Sequence, residues 1–316
     1  MTDVVTAGEA LGCLRADGRV LLGGTARLSV AGAEANVAIG LARLGHDVRY
    51  AGAVGDDQFG ALIRRTFQAE EVGTGFLRTD TSAPTGIILF EERLSGVMRV
   101  DYHRVASAGS HLGSGDVLAA LDGSPTPPAV FHVTGVTMAL GPGPRAAVLA
   151  GVRRARELGV RVCLDVNHRT RLWTAAEARR AFLELTSDLD IVIASDDELT
   201  LVAPGDDEAA RVSSLLDLGV REVVVKHGDK GATAYTPEGS VHRDAVPVTA
   251  VDTIGAGDAF VAGYLSGLLD GLDVDGRLRR GVTLGAFAVA TRGDWEGLPY
   301  RSELGLADVP SGEAVR

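Results

Sequence analysis

Short apolar runs alternate with amphipathic stretches along most of this chain. Val4–Ala7 reads as a first strand closed by Gly8-Glu9, and Val37–Leu44 as a helix stopped at Gly45. Val48–Val54 has strand character, and over Asp56–Val72 the residues Phe59, Leu62, Ile63 and Phe67 recur on one helical face. Further on come a strand at Val130–Thr134, a helix at Arg145–Leu158 closed by Gly159, a strand at Val160–Val166 and a helix at Ala175–Leu185. Ile191–Ala194, the helix Asp206–Leu218 and Glu222–Lys226 repeat the alternation, a hairpin covers 232–244, and helices at 257–269 and about 275–291 end the series. Strands alternating with helices of this length predict an α/β fold, a doubly wound, mainly parallel sheet flanked by helices. Two stretches break the rhythm. Residues 10–31 carry strand-like patches between glycines, and 85–105 read as two strands about a turn at Leu94-Ser95-Gly96 with no helix between them. They predict a small discontinuous β-sheet lid inserted in a single domain of residues 1–316, set over the crevice where open α/β sheets bind ligands.

Composition narrows the class. The 316 residues are 46% apolar, with mean hydropathy +0.14, enough for a full-sized core. A formal net charge of −11 argues against a nucleic-acid surface. Two cysteines, Cys13 and Cys163, make no disulfide framework and point to a reducing compartment. The N-terminus lacks a basic signal region, and no apolar run approaches the roughly 20 residues a membrane span needs, so a cytoplasmic location is expected.

The chemistry gathers at the ends of these elements. Gly255-Ala256-Gly257-Asp258 opens the helix that runs on to Leu269. Small residues leave the amides of 255–257 bare at the positive end of a helix, a receptacle for phosphate, and Asp258 follows as a carboxylate able to take a proton from a hydroxyl. Lys226 begins a run whose glycines, Gly228 and Gly231, suit either an ordinary hairpin or a loop beneath a nucleotide phosphate. Asn167 and Arg169 follow directly on a strand, whose carboxyl end delivers them to the crevice. Tyr102 and Arg104, two apart on a strand, share a face. Glu198 starts a helix after strand 191–194, where an acid answers the helix dipole or serves a Mg²⁺ or phosphate site. Other chemistries lack their signatures. There is no Gly-Lys-Ser/Thr, no histidine pair or His/Cys cluster for zinc and no G-x-S-x-G elbow, and the prolines of Gly141-Pro142-Gly143-Pro144 spoil a dinucleotide fingerprint.

Taken together, these features resemble the ribokinase-like (phosphofructokinase-B) carbohydrate kinase family nearly end to end. Gly32-x-x-x-Asn36-x-Ala38 followed by Leu41-Ala42-Arg43-Leu44-Gly45 is similar to its N-terminal signature, and Val54-Gly55-Asp56-Asp57-Gln58-Phe59-Gly60 to its V-G-x-D-x-F-G. Asp252-Thr253-x-Gly255-Ala256-Gly257-Asp258-Ala259-Phe260 is similar to its C-terminal signature, the most specific of the three. Within the family, Tyr102-His103-Arg104, Asp165 to Trp173 and Arg292 to Gly297 are most similar to 2-keto-3-deoxygluconate kinases. The resemblance implies Asp258 as catalytic base with Gly255, Ala256 and Gly257 as anion hole. It implies Gly32, Asn36, Tyr102, Arg104, Asn167 and Arg169 as sugar-acid contacts, and Ser195, Lys226, Gly228, Gly231, Gly255 and Gly257 along ATP. Mg²⁺ would be met indirectly by Glu198, with a monovalent cation (K⁺) as a further candidate and a homodimer formed through the lid. Ser195 stands where the family's magnesium motif has Asn, and Ile88 where some relatives have Tyr. Beside a helix N-terminus, Asp258 is expected to be a weak base at neutral pH.

Overall fold

The computed structural model describes residues 2–94 and 97–309, so Ser95 and Gly96 of the expected lid turn lie outside the described residues. Thirteen strands are described: β1 Val4–Ala7, β2 Leu11–Ala16, β3 Ala26–Ala31, β4 Val48–Gly55, β5 Leu77–Asp80, β6 Ile87–Leu94, β7 Val97–His103, β8 Val130–Thr134, β9 Arg161–Asp165, β10 Ile191–Ser195, β11 Glu222–Lys226, β12 Ala232–Thr236 and β13 Gly239–Arg243. They form two sheets. A 9-stranded sheet runs β13-β12-β11-β10-β9-β8-β1-β4-β5, parallel from β11 to β5 with the hairpin β12–β13 added antiparallel at one edge. A 4-stranded sheet runs β3-β2-β6-β7, in which β2 and β6 are parallel and the outer pairings antiparallel. The large sheet is the predicted one, and the two irregular stretches build the small one.

Its central strands read as unbroken apolar runs because both faces are covered. Successive residues serve opposite cores: Val4 and Val5, Val130 and Phe131, Ile191 and Val192, Val224 and Val225 each divide between the two. Helices Ala33–Arg43, Gln58–Ala69, Ala256–Leu269 and Val274–Val289 cover one face. Ser114–Asp122, Pro142–Leu158, Ala175–Leu183 and Glu208–Asp217 cover the other.

Some element ends differ from the expected ones, for local reasons. The helix expected from Asp206 starts at Glu208, because the Asp207 side chain caps it by accepting from the Ala210 amide (2.8 Å). The last long helix starts at Val274 behind Asp273, which caps Gly276 in the same way. Glu198 opens only a 3-10 turn, Glu198–Leu201, rather than a helix. Strand β5, with Leu77 its one apolar residue, offers no alternation to read, and helix Ser114–Asp122 was not expected although Val117, Ala120 and Leu121 recur on its buried face.

Candidate active site

Two adjoining clefts, each of about 540 Å³, lie at the carboxyl ends of the central strands. Lys226, Gly228, Thr253 and Gly257 line both, so the end of β11 and the turn before helix Ala256–Leu269 form the partition between them. The first is closed on its far side by the small sheet, through Leu11, Ile88, Phe90, Val100 and Tyr102. Gly32, Asn36, Arg104, Asn167, Arg169, Ser195, Glu198, Gly255 and Asp258 also line it. The second is mostly apolar, walled by Val246, Pro247, Val248, Phe260, Val282, Ala286 and Val289, with Gly231 and Ala256 at its margin. Residues spread from 32 to 258 in sequence therefore meet in one place.

Asp258 is the focus. It lies in the first turn of helix Ala256–Leu269, is nearly buried, and accepts one amide hydrogen bond on each oxygen: Asn36 Nδ2 at 2.7 Å and Asn167 Nδ2 at 3.0 Å. Asn167 also donates to Asp165 Oδ2 (2.9 Å), so its one amide nitrogen bridges two carboxylates. To do this its backbone takes φ 37°, a left-handed conformation that Asn tolerates better than most residues. Lys226 Nζ holds the other oxygen of Asp165 at 2.8 Å. Burial, and next the charge of Asp165, push the Asp258 carboxyl up to about 6, against the lowering effect of Arg169, Asn36 and Lys226. The expectation of a weak base is thereby corrected: burial and a neighbouring carboxylate outweigh the helix dipole, and Asp258 becomes a competent base near neutrality. Burial alone would lower Lys226, but Asp165, Glu198 and Asp258 more than compensate and keep it charged.

Gly255 is the N-cap of the helix, at φ 78°. A Cβ there would lie 2.1 Å from the carbonyl oxygen of Asp294, so only glycine lets this turn pack on the 292–297 loop. Gly32, at φ 138°, meets a similar limit: a Cβ would lie 2.5 Å from the Glu9 carbonyl oxygen.

In the first cleft the two arginines differ. Arg104 faces the cleft, but its guanidinium is ion-paired with buried Glu9, which Ser107 also bonds, and lies 5.5 Å over the Tyr102 ring. The Glu9 partner of Arg104 was not expected, since the sequence offers no reason to pair positions 9 and 104. Arg169 is exposed and has no carboxylate partner among the described residues. Glu198 accepts from the His168 amide (2.7 Å) and the Ser195 amide (2.9 Å), so both oxygens are already engaged by backbone. Ser195 donates to Asp197 at 2.6 Å. No group of three His, Cys, Asp or Glu among the described residues makes a direct metal cage.

Glu9 and Glu34 were missed. Glu34 is fully buried beneath the site, accepts from Thr134 (2.5 Å) and Thr137 on one oxygen, and is pushed up to about 7, chiefly by burial. A charged residue between apolar ones at the start of helix Ala33–Arg43 was the available signal.

A family model described as pfkB family carbohydrate kinase matches residues 1–301. The chain belongs to that family. It is an ATP-dependent carbohydrate kinase by this membership. It is 36% identical over 279 residues to the 2-dehydro-3-deoxygluconokinase of Thermoproteus tenax, covering 87% of this chain and 83% of the relative. To the fructokinase of Klebsiella pneumoniae it is 33% identical over 286 residues, covering 86% and 90%. Among solved structures, fructokinase from Vibrio cholerae O395, bound to fructose, ADP and a calcium ion, superposes with TM-score 0.84 at 26% identity, over 97% of this chain and 98% of that one. Among the described residues, no helix is long and apolar enough to cross a membrane.

Proposed function

We propose that this kinase transfers the γ-phosphoryl group of ATP to the terminal hydroxyl of a sugar acid, 2-keto-3-deoxygluconate, giving the 6-phosphate. The observation that carries the acid substrate is Arg169, a guanidinium on the cleft wall with no carboxylate partner among the described residues, close enough to lower the Asp258 carboxyl. A planar, permanently charged fork suits a carboxylate and is superfluous for a neutral sugar. The similarity to the Thermoproteus tenax enzyme supports the same reading.

In this reading Asp258 takes the proton of the attacking hydroxyl, with Asn36 and Asn167 fixing its two oxygens toward the sugar. The amides of 255–257 receive the charge on the moving phosphoryl group, and Lys226, at the partition, adds a positive charge. Phosphoryl transfer passes through a loose transition state, so orientation and charge carry the catalysis. The apolar second cleft fits an adenine, with Gly228 and Gly231 beneath its ribose phosphates. Mg²⁺, where bound, would neutralise phosphate charge; Glu198 fits it only through water, because backbone amides already engage both oxygens. The small sheet acts as the lid, excluding water.

A neutral sugar is the second reading, favoured by a separate observation: Glu9 cancels the charge of Arg104, and Ile88 turns an apolar surface to the cleft. An ADP-release assay over 2-keto-3-deoxygluconate, keto-deoxygalactonate, fructose and ribose separates the readings. Turnover confined to neutral sugars overturns the acid assignment. Arg169→Ala is expected to lower kcat/KM on the acid by about 10-fold or more, the cost of one charge-assisted hydrogen bond, and to leave neutral sugars within about 2-fold. Equal losses on both would remove Arg169 from the carboxylate site.

A homodimer through the lid belongs to the same proposal. Leu21, Leu22 and Leu28 are exposed around β3 at 84%, 77% and 63%, an apolar surface that a second copy would cover. Light scattering is expected to give about 66 kDa, twice the 32.8 kDa chain; a monomer at assay concentration refutes it.

A further inference from the structure

A charged side chain of the small sheet reaches two acids in the loops beside the Gly255 turn. Arg15, on β2, is almost wholly buried. Its Nη1 donates to Asp252 Oδ2 (2.7 Å), its Nη2 donates to Asp294, and its guanidinium lies 4.4 Å over the Phe90 ring. The two carboxylates flank the Gly255 turn. Asp252 bonds the Ile254 amide at 3.1 Å and the Gly293 amide at 3.4 Å, while the Asp294 backbone packs directly against Gly255. The same loop is tied to the small sheet three times more, by Ser29 to Glu296 (2.5 Å), by Trp295 Nε1 to the Val30 carbonyl (2.9 Å) and by Arg292 to Glu92 (3.1 Å).

We propose that Arg15 is a positioning residue that makes the anion hole competent only when the small sheet is seated. Its fork neutralises the two acids beside the phosphate position and holds the 252–257 and 292–297 segments in register. This rests on the kinase reading given above. The physical argument has two parts. Without the guanidinium, Asp252 would be left without its compensating charge beside a polyanionic nucleotide. Asp294, whose carboxyl burial already pushes up to about 7 despite Arg15, would take up a proton and let go of its segment. And since both acids belong to the body of the protein while the arginine belongs to the sheet that covers the sugar, the compensating charge arrives with that sheet. The site then turns fully attractive to the moving phosphoryl group only once water has been shut out, which disfavours ATP hydrolysis.

The test compares wild-type protein with Arg15→Met, Arg15→Lys and the double variant Arg15→Met/Asp294→Asn. Its readouts are ADP release with 2-keto-3-deoxygluconate and hydrogen exchange of the amides at 253–257. Arg15→Met is expected to lower kcat about 10- to 100-fold, short of the roughly 10²–10³-fold cost of deleting an anion-hole donor. KM for the sugar should stay within about 2-fold, KM for ATP should rise and the 253–257 amides should exchange faster; removing one acid in the double variant should restore part of the loss. Should Arg15→Met fail to fold, Arg15→Lys decides, because it keeps the charge but loses the fork, and should show a smaller loss of the same pattern. Unchanged kcat with unchanged exchange, or a loss confined to the sugar KM, overturns the inference. A wild-type protein that turns over no sugar would strike the kinase reading instead, and the amide exchange would still decide the role of Arg15.

Discussion

Asp258→Asn is expected to lower kcat by about 10²–10⁴-fold, the usual contribution of a positioned general base, with folding unchanged. The carboxylate sits at the helix mouth, held by Asn36 and Asn167, while the other acids lining the cleft are engaged elsewhere: Glu9 by Arg104, Glu198 by two backbone amides and Asp294 by Arg15. The amide replacing it keeps the shape and loses the ability to take a proton. The wild-type pH profile should agree. A base must be deprotonated to act, so kcat/KM should fall on the acid side with a midpoint near the value of about 6 that burial and Asp165 impose. Asp165→Asn removes the neighbouring charge and should move that limb to lower pH. An Asp258→Asn variant with near-normal turnover, or an acid limb near pH 4, would reject the assignment.

Gly255→Ala is expected to be more damaging than its single methyl suggests. The added Cβ meets the Asp294 carbonyl oxygen at 2.1 Å, and the backbone at φ 78° disfavours any side chain, so the turn must shift. The left-handed strain alone costs about 1–2 kcal/mol. The displaced amides should lower kcat by about 10²–10³-fold, as loss of an anion-hole donor does. Thermal unfolding and single-turnover ADP release measure the two effects. A variant with wild-type kcat would show that the amides of 255–257 do not hold the transferring group.

The second cleft illustrates how far pattern reading reaches. Gly228 and Gly231 alone fit an ordinary hairpin as well as a nucleotide loop, and in fact the segment does join β11 to β12. It becomes a candidate nucleotide edge because Phe260, Val282 and Val289, from two later helices, close an apolar wall opposite it. Likewise β5 was invisible as Leu77-Arg78-Thr79-Asp80, since an edge strand with one buried face needs few apolar residues. Its place beside β4 is set by register, not by its own composition.

Local rules were enough for the alternation of strands and helices, for the glycine turn before Asp258, and for the discontinuity at 10–31 and 85–105. Apolar period, cap residues and the backbone freedom of glycine act over a few residues, so the order of residues states them directly. Partnerships between distant charges were decided by the fold alone. Glu9 meets Arg104, Arg15 meets Asp252 and Asp294, and Asp165 sits beside Asp258 at separations of up to 279 residues. Those contacts determine which arginine stays open for an anion and how basic Asp258 becomes. They depend on three-dimensional distance and on exclusion of water, and neither is written in any short stretch of chain.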